Sequence, residues 1–299
     1  MSAPRFFILA GPTAVGKTEF AVEIAERLST EIVGADAFQI YRGFDILSGK
    51  PSTSLQARIK HHLLGVLPAT EPCDAARYAE LARKEIQDLN RQGLVPLVVG
   101  GSGFYINTLL NPLPELPAGD SELRNQLSQE PLESLLSELE DRDPEAFHGI
   151  DQQNRRRVER AIEVIRLTGK PFSTYRRPNS PGHQIPGLVL TRPRVELHRR
   201  INERVQWMLE NGAIQEVASA SALSPTAAQM IGVPEIQKLL SQESSLEECT
   251  RAIQAATRQY AKRQTTWFKK QPFASFDAEG SFEEAVEFFR RQEWQGGKT

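Results

Sequence analysis

The stretch Gly11-Pro12-Thr13-Ala14-Val15-Gly16-Lys17-Thr18 decides the fold of this 299-residue chain, because it matches the phosphate-binding pattern G-x-x-x-x-G-K-[ST] at every fixed position. Phe6 to Ala10 before it predicts a short buried strand. Glu19 to Leu28 after it predicts a helix with one apolar face. Glycines let the backbone wrap an anion, and the amides at the start of the helix point towards that anion. The stretch therefore predicts a phosphate site between a strand and a helix.

Each part of this loop has an expected role. We expect all eight residues to cradle phosphate, Lys17 to add a positive charge, and the hydroxyl of Thr18 to ligate Mg²⁺ as the cofactor. The loop alone does not say whether the bound phosphate belongs to a donor, a leaving group or a regulator.

Strands and helices alternate after the loop. Residues 31–35 predict a second strand that ends at Asp36, and Asp74 can cap a helix that runs to about Gln92. Residues 94–99 predict a third strand. This order predicts an α/β fold, with a P-loop NTPase-like parallel sheet flanked by helices. Ligands bind beyond the carboxyl ends of such strands, so residues 11–18, 36–41 and 100–105 should converge on one site.

Prolines and a helical stretch interrupt this pattern. Three prolines between residues 111 and 120 predict an exit from the core, residues 120–175 predict helices only, and residues 176–186 predict a linker. Residues 188–190 predict a returning strand. We therefore expect a discontinuous catalytic core of residues 1–112 and 186–299, with a helical insertion domain at residues 113–185.

The net charge of −2 conceals an uneven distribution. Residues 113–150 carry ten acidic and two basic side chains, whereas residues 251–270 carry six basic side chains and no acidic one. A helix predicted from Leu246 to about Lys270 presents a cationic stripe on one side. The stripe consists of Arg251, Arg258, Lys262 and Lys269. Such a stripe is typical either of a polyanionic partner or of a solvated helix face.

The bulk composition excludes several classes of protein. A hydrophobic content of 39% and a charged content of 25% are ordinary for a soluble globular protein, and no apolar run is long enough to span a membrane. The first strand begins too close to Met1 for a targeting segment, so we expect a cytoplasmic location. Cys73 and Cys249 are isolated, which argues against a disulfide framework or a zinc site.

Polar residues follow the predicted strands. Asp36 could accept a proton, ligate Mg²⁺ directly or through water, or bind a substrate amine, or it could simply cap a helix. Gly100 and Gly101 would admit either a ligand or a tight turn, and Ser102 offers a hydroxyl. This third strand end lacks the acidic residue of an ATPase. For His61-His62 we favour structural hydrogen bonds over a metal pair.

Together these residues resemble the tRNA dimethylallyltransferase (tRNA isopentenyltransferase) family over nearly the whole chain. Beyond the P-loop, the resemblance rests on Ala35-Asp36-x-x-Gln39-x-Tyr41-Arg42-Gly43-x-Asp45-Ile46, Lys50-Pro51, His61-His62-Leu63, Gly100-Gly101-Ser102 with Tyr105, Asp143-Pro144, Asn154 with Arg157, Arg160-Ala161-x-Glu163-Val164, Gln229-x-Ile231-Gly232 and Thr257-Arg258-Gln259-x-Ala261-Lys262-Arg263-Gln264-x-x-Trp267. The block from Asp36 to Lys50 and the block from Thr257 to Trp267 are the specific ones.

The resemblance implies transfer of a dimethylallyl group from dimethylallyl diphosphate to N6 of the adenosine 3′ of a tRNA anticodon. It implies that Asp36 is the base, that Lys17, Thr18 and Ser102 share in catalysis, and that the P-loop holds the leaving diphosphate. The tRNA anticodon stem-loop would be the partner of a monomeric enzyme. The residues expected to contact tRNA are Asp36, Ala37, Phe38, Gln39, Ser102, Arg124, Asn154, Arg157, Arg160, Arg258, Lys262 and Arg263.

This sequence departs from the family pattern at three places, and other functions stay open. Ala37 and Ser102 stand where Ser and Thr are common, and Val233-Pro234 stand where Tyr and a basic residue usually follow. An adenylate isopentenyltransferase is the nearest rival, although such enzymes generally lack the Arg258 to Gln264 block. A small-molecule P-loop kinase would have little use for the basic helix. A pure RNA-binding module would leave the P-loop and Asp36 without a role.

Overall fold

The computed structural model describes residues 4–114, 116–175 and 185–296, with side chains described as far as residue 292. Two compact units are present, one formed by Met1–Leu110 with His183–Thr299 and the other by Asn111–Gly182. Most of the linker predicted at residues 176–186 lies outside the described residues. That the second unit is an RNA-contacting insertion domain stays a prediction.

A six-stranded parallel sheet forms the centre of the first unit, in the order β3-β2-β4-β1-β5-β6. Its strands are β1 Phe7–Ala10, β2 Ile32–Gly34, β3 His61–His62, β4 Leu97–Gly100, β5 Gly187–Thr191 and β6 Ala274–Asp277. All four residues of β1 are buried, and Ile8 pairs with Val98 of β4. A strand that is continuously apolar needs cover on both faces, which the helices of an α/β fold supply. The predicted fold class is confirmed.

Thirteen helices accompany the sheet in the described residues. They are α1 Lys17–Arg27, α2 Thr53–Arg58, α3 Ala75–Arg91, α4 Gly103–Leu110, α5 Ser121–Gln129, α6 Leu132–Arg142, α7 Pro144–Gly149, α8 Arg155–Thr168, α9 Arg194–Glu210, α10 Ala213–Ala218, α11 Val233–Leu240, α12 Leu246–Phe268 and α13 Phe282–Gly296. None of them is long and apolar enough to cross a membrane.

Local sequence signals set several helix ends. The carboxylate of Asp74 accepts the amide of Arg77 at the start of α3, as its position predicts. Ser245 and Glu248 form the capping box predicted for α12, which ends at Phe268 rather than Lys270. Gly169 ends α8 in the left-handed conformation, with φ 70°.

The second unit has its own apolar core. The core is formed by Leu127, Leu135, Leu139, Ala146, Val158, Ala161, Ile162 and Ile165, from α5 to α8. These positions repeat at helical spacing, which is why the sequence predicts helices here. A short 3₁₀ turn at Phe172–Tyr175 follows α8.

Strand β3 is not predicted from the sequence, and β4 starts later than the strand predicted at residues 94–99. The edge strand β3 has only two residues, too few for a periodic signal, so the predicted third strand is the fourth. That strand was expected from residue 94, but the amide of Leu94 instead donates to Leu89 at the end of α3, and Pro96 has no amide to pair. The strand therefore begins at Leu97.

Candidate active site

A cavity of about 580 Å³ lies beyond the carboxyl ends of the strands of the first unit. Its wall includes residues 13–14, 16–19, 36, 38–39 and 99–100, so the three segments predicted to converge do line one space. Residues 47–52, 55 and 230–231 also line it, as do residues of α9 and α12, among them Arg200, Arg204, Tyr260 and Gln264.

The P-loop turns sharply before α1. Ala14 and Gly16 both adopt left-handed backbone conformations, with φ of 62° and 107°. Glycine reaches this region without strain, and alternation of left- and right-handed residues brings successive amides to one side. Residues 13–14 and 16–18 line the cavity, whereas Gly11, Pro12 and Val15 do not, and the anion cradle of residues 11–18 stays a prediction.

The amine of Lys17 lies inside this turn. Its Nζ donates to the carbonyl oxygens of Gly11 at 2.9 Å and Pro12 at 2.8 Å. Desolvation lowers the pKa of Lys17 to about 8, although the carboxylate of Asp36 raises it; the charge of Arg204 lowers it further. Lys17 is thus a cation that a bound phosphate would stabilise in its charged form.

Two arginines of α9 join Lys17 in the cavity wall, and the sequence analysis missed both. Arg200 Nε donates to the carbonyl of Ala14 at 2.9 Å, and Arg204 lies against Gly49, where an added Cβ would be 1.5 Å from its guanidinium. Arg200 and Arg204 are spaced i, i+4 on one helix face, a signal that could have indicated a shared target. The recorded hydrogen bonds of these cations go to backbone carbonyls.

A third arginine supports the loop from outside the cavity. Arg192 Nε donates to the carbonyl of Val15 at 3.1 Å, and its Nη1 pairs with Glu279 at 2.5 Å. Because Glu279 neutralises this arginine, its role is to brace the loop rather than to supply free charge.

Asp36 caps a turn and lines the cavity, whereas its roles as base and Mg²⁺ ligand stay predictions. Its Oδ1 accepts the amides of Phe38 at 2.9 Å and Gln39 at 3.3 Å, so the carboxylate caps the turn that follows β2. The carboxylate also lines the cavity, and it raises the pKa of Lys17. Both recorded hydrogen bonds use Oδ1, which leaves Oδ2 suited to a substrate amine.

Ser102 sits behind the cavity wall. Its side chain is buried, with 7% of the residue exposed, and its Oγ accepts the amide of Ala37 at 3.0 Å. Burial raises the pKa of the nearby Tyr260 phenol to about 12; the carboxylate of Asp36 also raises it, and hydrogen bonds from Ser102 and Gln264 lower it. Among the described residues, Gly100 and Tyr260 form the wall here.

Gly100 at the end of β4 and Gly101 after it leave space for neighbouring parts of the protein. A Cβ on Gly100 would be 2.0 Å from the carbonyl oxygen of Ala35, and one on Gly101 would be 2.3 Å from the amide of Gln264. The sequence leaves open whether these glycines admit a ligand or a tight turn. The distances favour a turn that packs against other elements.

The cationic residues of α12 fall into two groups. Lys262 and Arg263 are exposed, and the Arg263 guanidinium lies 5.7 Å from the centre of the Tyr260 ring. Arg258 is half-buried, and its Nη1 donates to Asn202 of α9 at 2.6 Å. The first two are placed for an external partner, whereas Arg258 also has a structural contact.

In the second unit, most of the predicted RNA contacts also hold the fold together. Arg124 and Arg160 pair with the buried carboxylate of Glu163 at 2.8 and 2.5 Å. Asn154 caps α8 by accepting the amide of Arg157. The side chain of Arg157 is exposed.

The expectations for metal binding differ between the histidine pair and the P-loop. Within the described residues, no group of three or more His, Cys, Asp or Glu side chains could hold a metal ion. His62 bonds instead to Glu31 and Glu85, at 2.5 and 2.7 Å, in the structural role favoured for it. Thr18 and Asp36 both line the cavity, and their hard oxygen atoms suit Mg²⁺, which binds one or two protein oxygens together with phosphates and water.

Comparison with known proteins agrees with this geometry. A family model described as IPP transferase matches residues 39–271. A tRNA dimethylallyltransferase of Akkermansia muciniphila is 39% identical over 263 residues, which cover 88% of this chain and 90% of that protein.

Two solved structures are also similar. The tRNA isopentenylpyrophosphate transferase of Bacillus halodurans superposes with a TM-score of 0.69 at 31% identity, covering 99% of this chain and 96% of that one. A eukaryotic dimethylallyltransferase acting on tRNA gives a TM-score of 0.79 at 26% identity, covering 91% of this chain and 73% of that one. With a P-loop, a strand-end carboxylate and a family match over most of its length, the chain belongs to the IPP transferase family.

Proposed function

We propose that this protein transfers a dimethylallyl group from dimethylallyl diphosphate to N6 of the adenosine 3′ of a tRNA anticodon and releases diphosphate. The observation that carries the proposal is a single cavity that joins a P-loop and three cations to the carboxylate of Asp36. Relatives of similar length are named tRNA dimethylallyltransferases, which supports the same reaction.

The cationic end of the cavity suits the leaving group. As the allylic C–O bond breaks, negative charge builds on the departing diphosphate. The P-loop amides, Lys17, Arg200 and Arg204 are placed to stabilise that charge, and preorganised donors of this kind are often the largest contribution to catalysis. Mg²⁺, held by Thr18 and the diphosphate with Asp36 reached through water, would supply further neutralisation of the leaving group.

The acidic side of the cavity suits the nucleophile. The exocyclic amine of adenine forms the new C–N bond and loses one proton, which Oδ2 of Asp36 would accept. Oδ1 stays bonded to the amides of Phe38 and Gln39, which fixes the carboxylate while the proton moves. Ser102 would act on Asp36 through the amide of Ala37.

The RNA must present its adenine at this cavity. A base in a stacked loop has to be turned out, at a cost of a few kcal/mol, and phosphate contacts can offset that cost. We propose that the exposed Arg157, Lys262 and Arg263 provide such contacts, and that Arg124, Asn154, Arg160 and Arg258 contribute while keeping their protein partners. Phe38 and Gln39 line the cavity next to Asp36 and would meet the target base. We further propose a cytoplasmic monomer.

Incubation with labelled dimethylallyl diphosphate tests the proposal directly. Unmodified tRNA, AMP and water serve as alternative acceptors, with and without Mg²⁺. We expect label on tRNA alone, at the adenosine 3′ of the anticodon, and little transfer without Mg²⁺. Label on AMP but not on tRNA would instead assign an adenylate isopentenyltransferase, and phosphate transfer from ATP to a small molecule would assign a kinase.

A further inference from the structure

Helix α12 has two different sides. Lys262 and Arg263 face outwards, whereas Tyr260 and Gln264 line the cavity. The inner residues are spaced i, i+4, so they lie one turn apart on the same face. The helix that carries the exposed cations therefore also touches the groups that surround the diphosphate site.

Gln264 makes two hydrogen bonds to separate parts of the site. Its Oε1 accepts the amide of Thr13 in the P-loop at 2.8 Å, and its Nε2 donates to the carbonyl of Gly101 after β4, also at 2.8 Å. Only 5% of Gln264 is exposed. A buried amide that is satisfied at both ends has one orientation, because reversing it would oppose two donors and two acceptors.

The fit around Gln264 is close. A Cβ on Gly101 would lie 2.3 Å from Gln264 Nε2, and a Cβ on Gly103 would lie 2.5 Å from the indole of Trp267. The backbone of the turn after β4 thus packs directly on α12 at two contacts. Gln264 and Trp267, which make these contacts, lie one turn apart on the helix. Any substitution that moves Gln264 must also move this turn or the P-loop.

We propose that Gln264 is a positioning residue that holds the first turn of the P-loop against the turn after β4 and so sets the geometry of the diphosphate cradle. This assignment rests on the proposed function only for the identity of the anion. Gln264 does not need to touch the anion. It acts through Thr13, which precedes the left-handed Ala14 and the amides that follow.

The same face of α12 also lies near the side of the cavity that contains Asp36. Tyr260 lies near enough to Ser102 and Gln264 for both to lower the pKa of its phenol, and Ser102 accepts the amide of Ala37. A continuous set of contacts therefore joins the P-loop to the residue after Asp36. Displacing Gln264 should affect the leaving-group side first, since its direct bond is to the P-loop.

The test compares three glutamines of one helix. Gln264→Met keeps a side chain of similar size but removes both hydrogen bonds. Gln254→Met removes a bond from α12 to the carbonyl of Asn202 on α9, and Gln259→Met changes an exposed position. Each variant is measured for affinity to inorganic diphosphate by calorimetry, for KM and kcat with dimethylallyl diphosphate, for tRNA affinity and for thermal midpoint.

We expect Gln264→Met to bind diphosphate about tenfold more weakly and to raise KM by a similar factor, with tRNA affinity unchanged, because of the two bonds lost it is the one to Thr13 that holds the P-loop. Gln254→Met and Gln259→Met should match the wild type in diphosphate affinity. Equal weakening in Gln254→Met, or unchanged diphosphate affinity in Gln264→Met, would overturn the proposal.

A second variant guards against a Gln264→Met protein that does not fold. Gly101→Ala places a methyl group against the intact Gln264 amide, and it should weaken diphosphate binding in the same direction. Unchanged diphosphate binding in Gly101→Ala would count against the proposal. The wild type separates the two hypotheses. If it transfers no label to tRNA, the proposed function fails. If it transfers label but the variants keep their diphosphate affinity, only the role of Gln264 fails.

Discussion

The cations around Glu163 in the second unit and the cations at the P-loop in the first unit are held differently. In the second unit, Arg124 and Arg160 surround Glu163, a carboxylate with only 1% of its side chain exposed. In the first unit, Lys17, Arg200 and Arg204 line a cavity, and their recorded hydrogen bonds end on backbone carbonyls.

The difference separates structural from functional charge. Around Glu163 each of the two arginines has a carboxylate partner inside the fold. At the P-loop the cations line a cavity together with Asp36, the carboxylate whose charge raises the pKa of Lys17. Cations held close together without direct carboxylate partners favour a bound anion.

The largest effect should come from Asp36→Asn. Asparagine keeps an Oδ1 that can accept the amides of Phe38 and Gln39, but it cannot take a proton from the adenine amine. We expect kcat for prenyl transfer to fall by a factor of about 10²–10⁴, with tRNA affinity nearly unchanged. Single-turnover transfer and a tRNA binding assay measure the two quantities. Lost tRNA affinity with unchanged turnover on saturating tRNA would contradict the role of Asp36 as base.

Arg204→Met should weaken the donor site without harming the RNA site. It removes one charge-assisted hydrogen-bond donor from the cavity, worth roughly 1.5–3 kcal/mol, so KM for dimethylallyl diphosphate should rise about 10- to 150-fold. Arg199→Met is a matched control on the same helix, because Arg199 is exposed and pairs with Glu196 and Glu203. Equal rises in KM from both variants would mean that Arg204 in the cavity contributes no more to donor binding than the exposed Arg199.

Glu163→Gln should act on stability and leave the diphosphate site intact. Loss of the carboxylate leaves two arginines without their partner, and because 56% of the Arg124 side chain is exposed the cost should be about 1–3 kcal/mol. Hydrogen exchange of α8 amides in the full chain reports this loss. Unchanged protection would show that the pair contributes little.

The same residue gives a pH dependence with a defined sign. Desolvation raises the pKa of Glu163, but hydrogen bonds from Arg160 and Arg124 outweigh it, so the net pKa lies below the ordinary 4.5. The stability from this carboxylate is therefore present at neutral pH and is lost as pH falls through the lowered folded-state pKa. The wild type should lose α8 protection in acid, and Glu163→Gln should lose less.

Donor binding should weaken in mild alkali. With the pKa of Lys17 near 8, the amine loses its proton above that pH, and binding of the anion then requires protonation first. We expect KM for dimethylallyl diphosphate to rise towards tenfold per pH unit above about 8. In Lys17→Arg the guanidinium stays charged, so the slope should vanish. A flat profile in the wild type would show that Lys17 keeps its proton throughout.

The smallest effect should come from Lys262→Ala. This exposed cation belongs to neither of these two sets of cations, and a single phosphate contact changes the slope of log affinity against log salt by about one. We expect tRNA affinity to drop a few-fold and the slope to fall, whereas Lys84→Ala on α3 should change neither. An unaltered slope in Lys262→Ala would mean that this side chain faces solvent in the complex.

Local signals in the sequence predicted much of the molecule. The P-loop, the caps at Asp74 and Ser245 and the helices of the second unit follow from residues within a few positions of one another. Asp36 was recognised because strand ends of a parallel sheet meet at one edge. The sequence does not distinguish between an Asp36 that caps a turn and an Asp36 that lines the cavity, since both roles need an aspartate at the same position.

Long-range contacts were out of reach of those signals. Arg200 and Arg204 belong to a helix that begins more than 170 residues after the P-loop, and their i, i+4 spacing shows a shared helix face but not that this face meets the P-loop. Arg124 and Arg258 are expected RNA contacts because the family resemblance implies them, whereas their partners Glu163 and Asn202 become apparent only in the fold.

By itself, the sequence determined the phosphate loop, the parallel α/β class, the carboxylate at the end of β2 and the family resemblance, because each depends on spacing along the chain or on one backbone geometry. Only the tertiary structure decided which cations are neutralised, which ones line the cavity, and that Gln264 joins Thr13 to Gly101 across 251 and 163 positions of sequence. The reason is physical: a charge or an amide gains its function from its partners, and folding alone brings those partners within hydrogen-bond distance.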